Sequence, residues 1–175
     1  GTRGPVARIP NVLPVMATHT LVSGFKWAHV LAINLAEDFV LTPDHLAPVD
    51  LDSGTDLVVY SGYGPATNVT VAPFATLNVK ACNESDFEVY HAAPVFGNGW
   101  AYLGEAAKWV PVAEARTRAV EFDDAGVTVA LAGGPAELVE LAFYAPNKTV
   151  VAANCTLSAA GTATLSVSSF GSVCA

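Results

Sequence analysis

The chain has 175 residues, of which 14% are charged and 52% apolar, and it carries a net charge of −8 at pH 7 with only eight Lys plus Arg. That balance excludes nucleic acid and anionic membrane surfaces as partners, since both require basic patches. No helical membrane span is expected either, because Glu37 and Asp38 break the apolar segment from Phe25 to Leu41 before it reaches bilayer length.

In chain order, residues 1–15 with Pro5, Pro10 and Pro14 read as an extended arm that wraps the domain or reaches a neighbour. The start Gly1-Thr2-Arg3-Gly4-Pro5 has neither an initiator Met nor a signal-peptide core, so the chain reads as processed from a precursor or as part of a larger protein. Trp27 to Leu35 is apolar on both faces, as a covered central strand is. Asp52-Ser53-Gly54 is a turn that feeds a strand over Leu57 to Tyr60. Leu77 and Val79, then Phe87 and Val89, alternate with polar neighbours at period two. Gly104 to Lys108 predicts a single helical turn, which Pro111 ends. Three further alternating segments follow: Val127, Val129 and Leu131; Val139, Leu141 and Phe143; and Ala163, Leu165 and Val167. Turn signals separate them at Gly97-Asn98-Gly99, Asp123 to Gly126, Gly133-Gly134-Pro135, Ala145-Pro146-Asn147 and Ala160-Gly161.

Short strands punctuated in this way predict an all-β protein, an antiparallel Greek-key β-sandwich with two packed β subdomains as a variant. The expected division is an arm over residues 1–15, a sandwich over 16–113 and additional strands over 114–175, with a soft boundary near Pro111 to Ala115.

Four of the eight asparagines stand in the N-glycosylation pattern: Asn68, Asn83, Asn147 and Asn154. A glycan cannot be buried, so these positions are expected on exposed turns and strand ends of a secreted glycoprotein carrying covalent N-glycans. An oxidising compartment would also preserve a bridge between Cys155 and Cys174, which bracket a predicted hairpin. Cys82 then remains as a buried thiol or as a bond to another chain or to a further part of the precursor.

Signals for chemistry are few. Val49 to Val59, containing Asp52-Ser53-Gly54-Thr55, resembles the active-site loop of aspartic peptidases, which need two carboxylates sharing a proton. A single copy could work only in a dimer using Asp52. His19, His29, His45 and His91 lack metal-ligand spacing and read as solvated or core histidines, with neither metal nor cofactor expected. Trp27, Trp100, Trp109 and Tyr63 are candidates for stacking on sugar rings, although large aromatics of a sandwich more often fill its core.

The order of segments carries a further signal. Val30-Leu31-Ala32-Ile33-Asn34-Leu35, Asp56-Leu57-Val58-Val59-Tyr60-Ser61-Gly62, Val71-Ala72-Pro73, Phe87-Glu88-Val89-Tyr90-His91-Ala92-Ala93-Pro94-Val95 and Gly99-Trp100-Ala101-Tyr102-Leu103-Gly104 follow one another. This succession resembles the C-terminal β domain of raffinose synthases and alkaline α-galactosidases. The catalytic aspartates of that glycoside hydrolase family lie in a preceding β/α barrel, and no barrel fits in this chain. The resemblance therefore implies a fold and an ancestry, and no catalytic residue. The expected role is that of a non-catalytic extracellular β domain that associates with other copies of itself. The alternative is a stabilising or carbohydrate-binding accessory domain that packs against a catalytic barrel.

Overall fold

The computed structural model describes residues 7–8, 15–49, 51, 56–61, 65–66, 69–83 and 85–175. Most of the arm, the Asp52 loop, Tyr63 and Asn68 lie outside these residues. All described strand pairs are antiparallel.

The N-terminal half is built on a six-stranded sheet of β1 (Ala7–Arg8), β2 (Val15–Val22), β3 (Phe25–Ala32), β5 (Leu57–Ser61), β6 (Thr70–Pro73) and β8 (Glu88–Pro94). Its order is β1-β2-β3-β8-β5-β6, so β8 inserts between strands that precede it. Two short strands, β4 (Phe39–Leu41) and β7 (Leu77–Val79), pair separately, and a 3-10 helix covers Pro43–Val49. Together they close one face of the large sheet: Leu41, Leu46 and Val79 bury themselves against Val15, Val30, Ala32 and Val59.

Two further sheets make the C-terminal half. One orders β10 (Thr117–Phe122), β11 (Gly126–Ala132), β14 (Thr162–Ser168) and β15 (Gly171–Cys174); the other orders β13 (Val150–Thr156), β12 (Leu138–Tyr144) and β9 (Ala101–Gly104). The inward residues are the expected alternating ones, with Val127, Val129, Leu131, Val139, Leu141, Phe143, Leu165 and Val167 all buried. The molecule is an all-β sandwich.

The boundary read near Pro111 to Ala115 falls between β9 and β10, yet β9 hydrogen-bonds to β12 beyond it. Trp27, Val58 and Tyr60 of the large sheet also share one continuous core with Leu141 and Phe143. Two buried bonds stitch the halves: Trp27 Nε1 donates to Tyr102 O and the Tyr60 hydroxyl donates to Leu103 O, each at 2.7 Å. Burial raises the Tyr60 phenol well above its ordinary range, so it stays a neutral donor.

Two local expectations change. The strand predicted from Trp27 to Leu35 ends at Ala32, because Asn34 takes a left-handed φ of 56°. The helical turn predicted at Gly104 to Lys108 is a loop whose ends are tied by Glu105 N donating to Pro111 O at 2.9 Å. The helical element lies instead at Pro43–Val49, where Pro43 fixes the first φ and Asp44 sits in the first turn.

Candidate functional site

The second face of the large sheet is only half covered. Residues directly opposite across neighbouring strands share a face, so Thr18, His29, His91 and Tyr60 form one row across β2, β3, β8 and β5. Trp27, Val58 and Ala93, towards one end of the strands, lie beneath the C-terminal sheets. There Val120 N donates to Ser23 Oγ at 2.9 Å, and the Phe25 ring packs on Phe96 with centroids 5.0 Å apart.

Towards the other end the same face opens into a groove of about 580 Å³ with an almost entirely apolar lining. Met16, Leu31 and Val89 line it beside His29, and Trp109 and Val110 join from the loop after β9. Phe87 and Trp109 stand against each other with centroids 5.4 Å apart and planes inclined at 38°. They are 39% and 55% exposed. The same two rings border a second cavity of about 370 Å³, whose lining includes Asp86, Lys108, Ser61 and His91.

The loop that carries Lys108 and Trp109 is held at its base. Gly104 turns the chain with φ +83°, and a Cβ there would lie 2.3 Å from Pro111 O. Glu105, which follows, accepts from Arg116 Nε at 2.9 Å, and the side chains of both residues are almost buried. Arg116 also donates to Ala132 O and grips Glu137. A guanidinium that satisfies three acceptors fixes this corner more firmly than an exposed pair would.

Where the two cavities meet the sheet, His29 Nδ1 and His91 Nδ1 are 2.9 Å apart, and Thr20 Oγ1 lies 3.2 Å from His29 Nε2. The Nδ1 contact holds one proton, donated by one ring and accepted by the other. Burial pulls both imidazoles down, His29 to about 4 and His91 to about 3, with a neighbouring histidine charge as the lesser cause in each case. Both are neutral at pH 7. Among the described residues no group of three His, Cys, Asp or Glu is placed to hold a metal ion.

Trp27 and Trp100 are 0% and 4% exposed, so they are core residues and cannot stack on sugar. Trp109 is exposed on the groove, and Tyr63 lies outside the described residues. Asp52 also lies outside them. Asn83, Asn147 and Asn154 are all exposed, although Asn154 lies within β13 opposite Glu140 and not at a turn or strand end, and Asn68 falls outside the described residues. Asn83 and Asn147 occupy turns in which their Oδ1 atoms accept from Ser85 N at 2.8 Å and from the Thr149 hydroxyl at 2.6 Å. Cys155 and Cys174 form a disulfide with Cα atoms 5.3 Å apart. Cys82 is a half-buried thiol that donates to Ala32 O at 3.4 Å.

Phe87, Asp86, Lys108 and the His29–His91 contact were not distinguished as a site by the sequence. The alternation around Phe87 and Val89 was visible, but the pairing of β3 with β8 that assembles the site joins residues 62 apart. No family model matches the chain, and no curated protein matches it.

Proposed function

We propose that this chain is a non-catalytic β module of a secreted glycoprotein that works by assembly, pairing with further copies of itself through the open half of its large sheet. The observation that carries this reading is the apolar groove of about 580 Å³ between the sheet and the Trp109 loop. Apolar surface removed from water contributes about 25 cal/mol per Å², and a groove of this kind gains by being covered. A second copy is the favoured occupant because the chain also presents apolar projections. Phe170 in the β14–β15 turn is 97% exposed, and Leu138 and Val173 are exposed too. A projection of one copy seated in the groove of the next makes a heterologous contact, which closes into a ring or extends into a filament. Secretion is supported by the exposed Asn83, Asn147 and Asn154 and by the disulfide, which an oxidising compartment maintains.

Light scattering of the purified chain tests the assembly. We expect oligomers at concentrations of about 100 μM and below, and a monomer of unchanged circular dichroism for Leu31→Glu/Val89→Glu. A monomeric wild type over that range overturns the proposal. Glycopeptide mass spectrometry tests the compartment, and unmodified Asn at all four sequons removes it.

A second reading is favoured by the exposed Phe87–Trp109 pair beside a polar cavity and by the resemblance to the C-terminal domains of raffinose synthases and α-galactosidases. In that reading the chain is an accessory module and a catalytic barrel covers its groove. Co-purification of the chain with a barrel encoded in the same transcript distinguishes this case from self-assembly.

A further inference from the structure

We infer that the cavity bordered by Phe87 and Trp109 is a saccharide-binding site. A pyranose ring has an apolar face of C–H groups and a rim of hydroxyls, so a site for it needs an exposed aromatic surface beside fixed donors and acceptors. The cavity supplies both. Phe87 and Trp109 form an inclined aromatic wall, accessible on its outer side. Around it stand Asp86 to accept from hydroxyls, Lys108 to donate to them, and Ser61 to do either, with His91 also in the lining. A volume of about 370 Å³ lies at the small end of the range for ligand pockets and suits one or two sugar rings. The wall is rigid where it matters, since Phe87 adjoins β8 and the loop bearing Trp109 is tied by the Glu105–Pro111 bond and by Arg116. Rigid aromatic groups bind without first losing side-chain freedom.

The sugar has two sources on this geometry. One is a glycan of another molecule. The other is the chain's own glycan at Asn83, because Asn83 and Asp86 are the two ends of one turn, closed by Asp86 N donating to Asn83 O at 3.4 Å. The turn thus joins a sequon directly to the cavity wall. The Asn83 source rests on the glycosylation proposed above, and the mass of the Asn83 glycopeptide separates failure of that reading from failure of the site.

Saturation-transfer NMR with chitobiose, lactose and cellobiose on chain made without glycans tests the site. Saturation transfer to at least one probe is expected, weakened on the order of tenfold in Trp109→Ala. Asp86→Ala/Lys108→Ala, which leaves the aromatic wall in place, should weaken it by a similar factor, and circular dichroism reports whether each variant is folded. In glycosylated chain, an Asn83 glycan lying in the cavity would block the added probes and resist endoglycosidase, and Trp109→Ala would restore cleavage. Undiminished probe binding to the glycosylated chain assigns the site to a glycan from outside. No transfer to any probe in unglycosylated chain, together with an Asn83 glycan cleaved equally fast in wild type and Trp109→Ala, overturns the inference.

Discussion

Gly104 shows how one residue controls the groove. Its φ of +83° is a left-handed conformation, and an added Cβ would lie 2.3 Å from Pro111 O and 2.7 Å from Val112 Cγ2. Pro111 cannot retreat cheaply, because its carbonyl accepts from Glu105 N and thereby closes the loop that carries Trp109. Gly24 has the same φ of +83° with open space around the added atom. Gly24→Ala should therefore cost only the left-handed strain, about 1–2 kcal/mol. Gly104→Ala adds a backbone clash and should cost on the order of 3 kcal/mol or more, with a shift in tryptophan emission as Trp109 moves. Urea unfolding of the two variants checks the contrast, and equal losses would show that the Pro111 contact constrains nothing.

Among the elements, β15 depends most on a covalent tie. All four of its residues are exposed, so it buries little to hold itself on the edge of β14. Cys174 at its end is bonded to the buried Cys155 of β13, across a separation of 19 residues and between two different sheets. The loop-closure entropy withheld from the unfolded chain by such a bridge is about 3 kcal/mol. Reduction, or Cys155→Ala/Cys174→Ala, should lower the thermal midpoint by roughly 10 °C, and hydrogen exchange should release the amides of β15 before those of β11. A midpoint unmoved by reduction would contradict this.

The alternating triplets of Val127, Val139 and Ala163 became β11, β12 and β14, because β11, β14 and the first half of β12 face a core on one side and are more exposed on the other, while Ala142 and Tyr144 of β12 are buried on its second face too. Local period two encodes that condition. The partner of each strand is another matter: β8 inserts between β3 and β5, and β9 leaves the N-terminal half to pair with β12. Those choices rest on burial summed over distant segments, which no local pattern carries. The groove was illegible for the same reason, since Met16, Leu31, Val89 and Trp109 meet only once β2, β3, β8 and the loop after β9 are assembled. Trp109 could be named as a candidate from its type, but its difference from Trp27 and Trp100 is a difference of burial alone.

For the molecule as a whole, the buried histidine pair ties stability to pH. His29 and His91 titrate near 6.5 in the unfolded chain and are held far lower in the fold, at about 4 and about 3, chiefly by burial. The folded state thus binds fewer protons than the unfolded state over that interval. Their contribution is complete above pH 6.5 and is lost as pH falls towards 4, at up to about 1.4 kcal/mol per pH unit for each histidine. Tyr60, whose ring lies 5.1 Å from that of His91, stays neutral throughout and does not oppose the trend. Asp38 and Glu137, whose carboxyls are lowered by hydrogen bonds from Lys80 and Arg116, add losses only below their ordinary carboxylate range. Between pH 6.5 and 5 these two carboxyls therefore add nothing to the change. Urea midpoints should fall more steeply from pH 6.5 to 5 in the wild type than in His29→Phe/His91→Phe, which replaces both rings with apolar ones in a largely apolar setting and leaves His19 in place. Parallel slopes for the two proteins over that interval would show that the histidines are protonated in the fold, and that the sheet beneath the groove tolerates their charge.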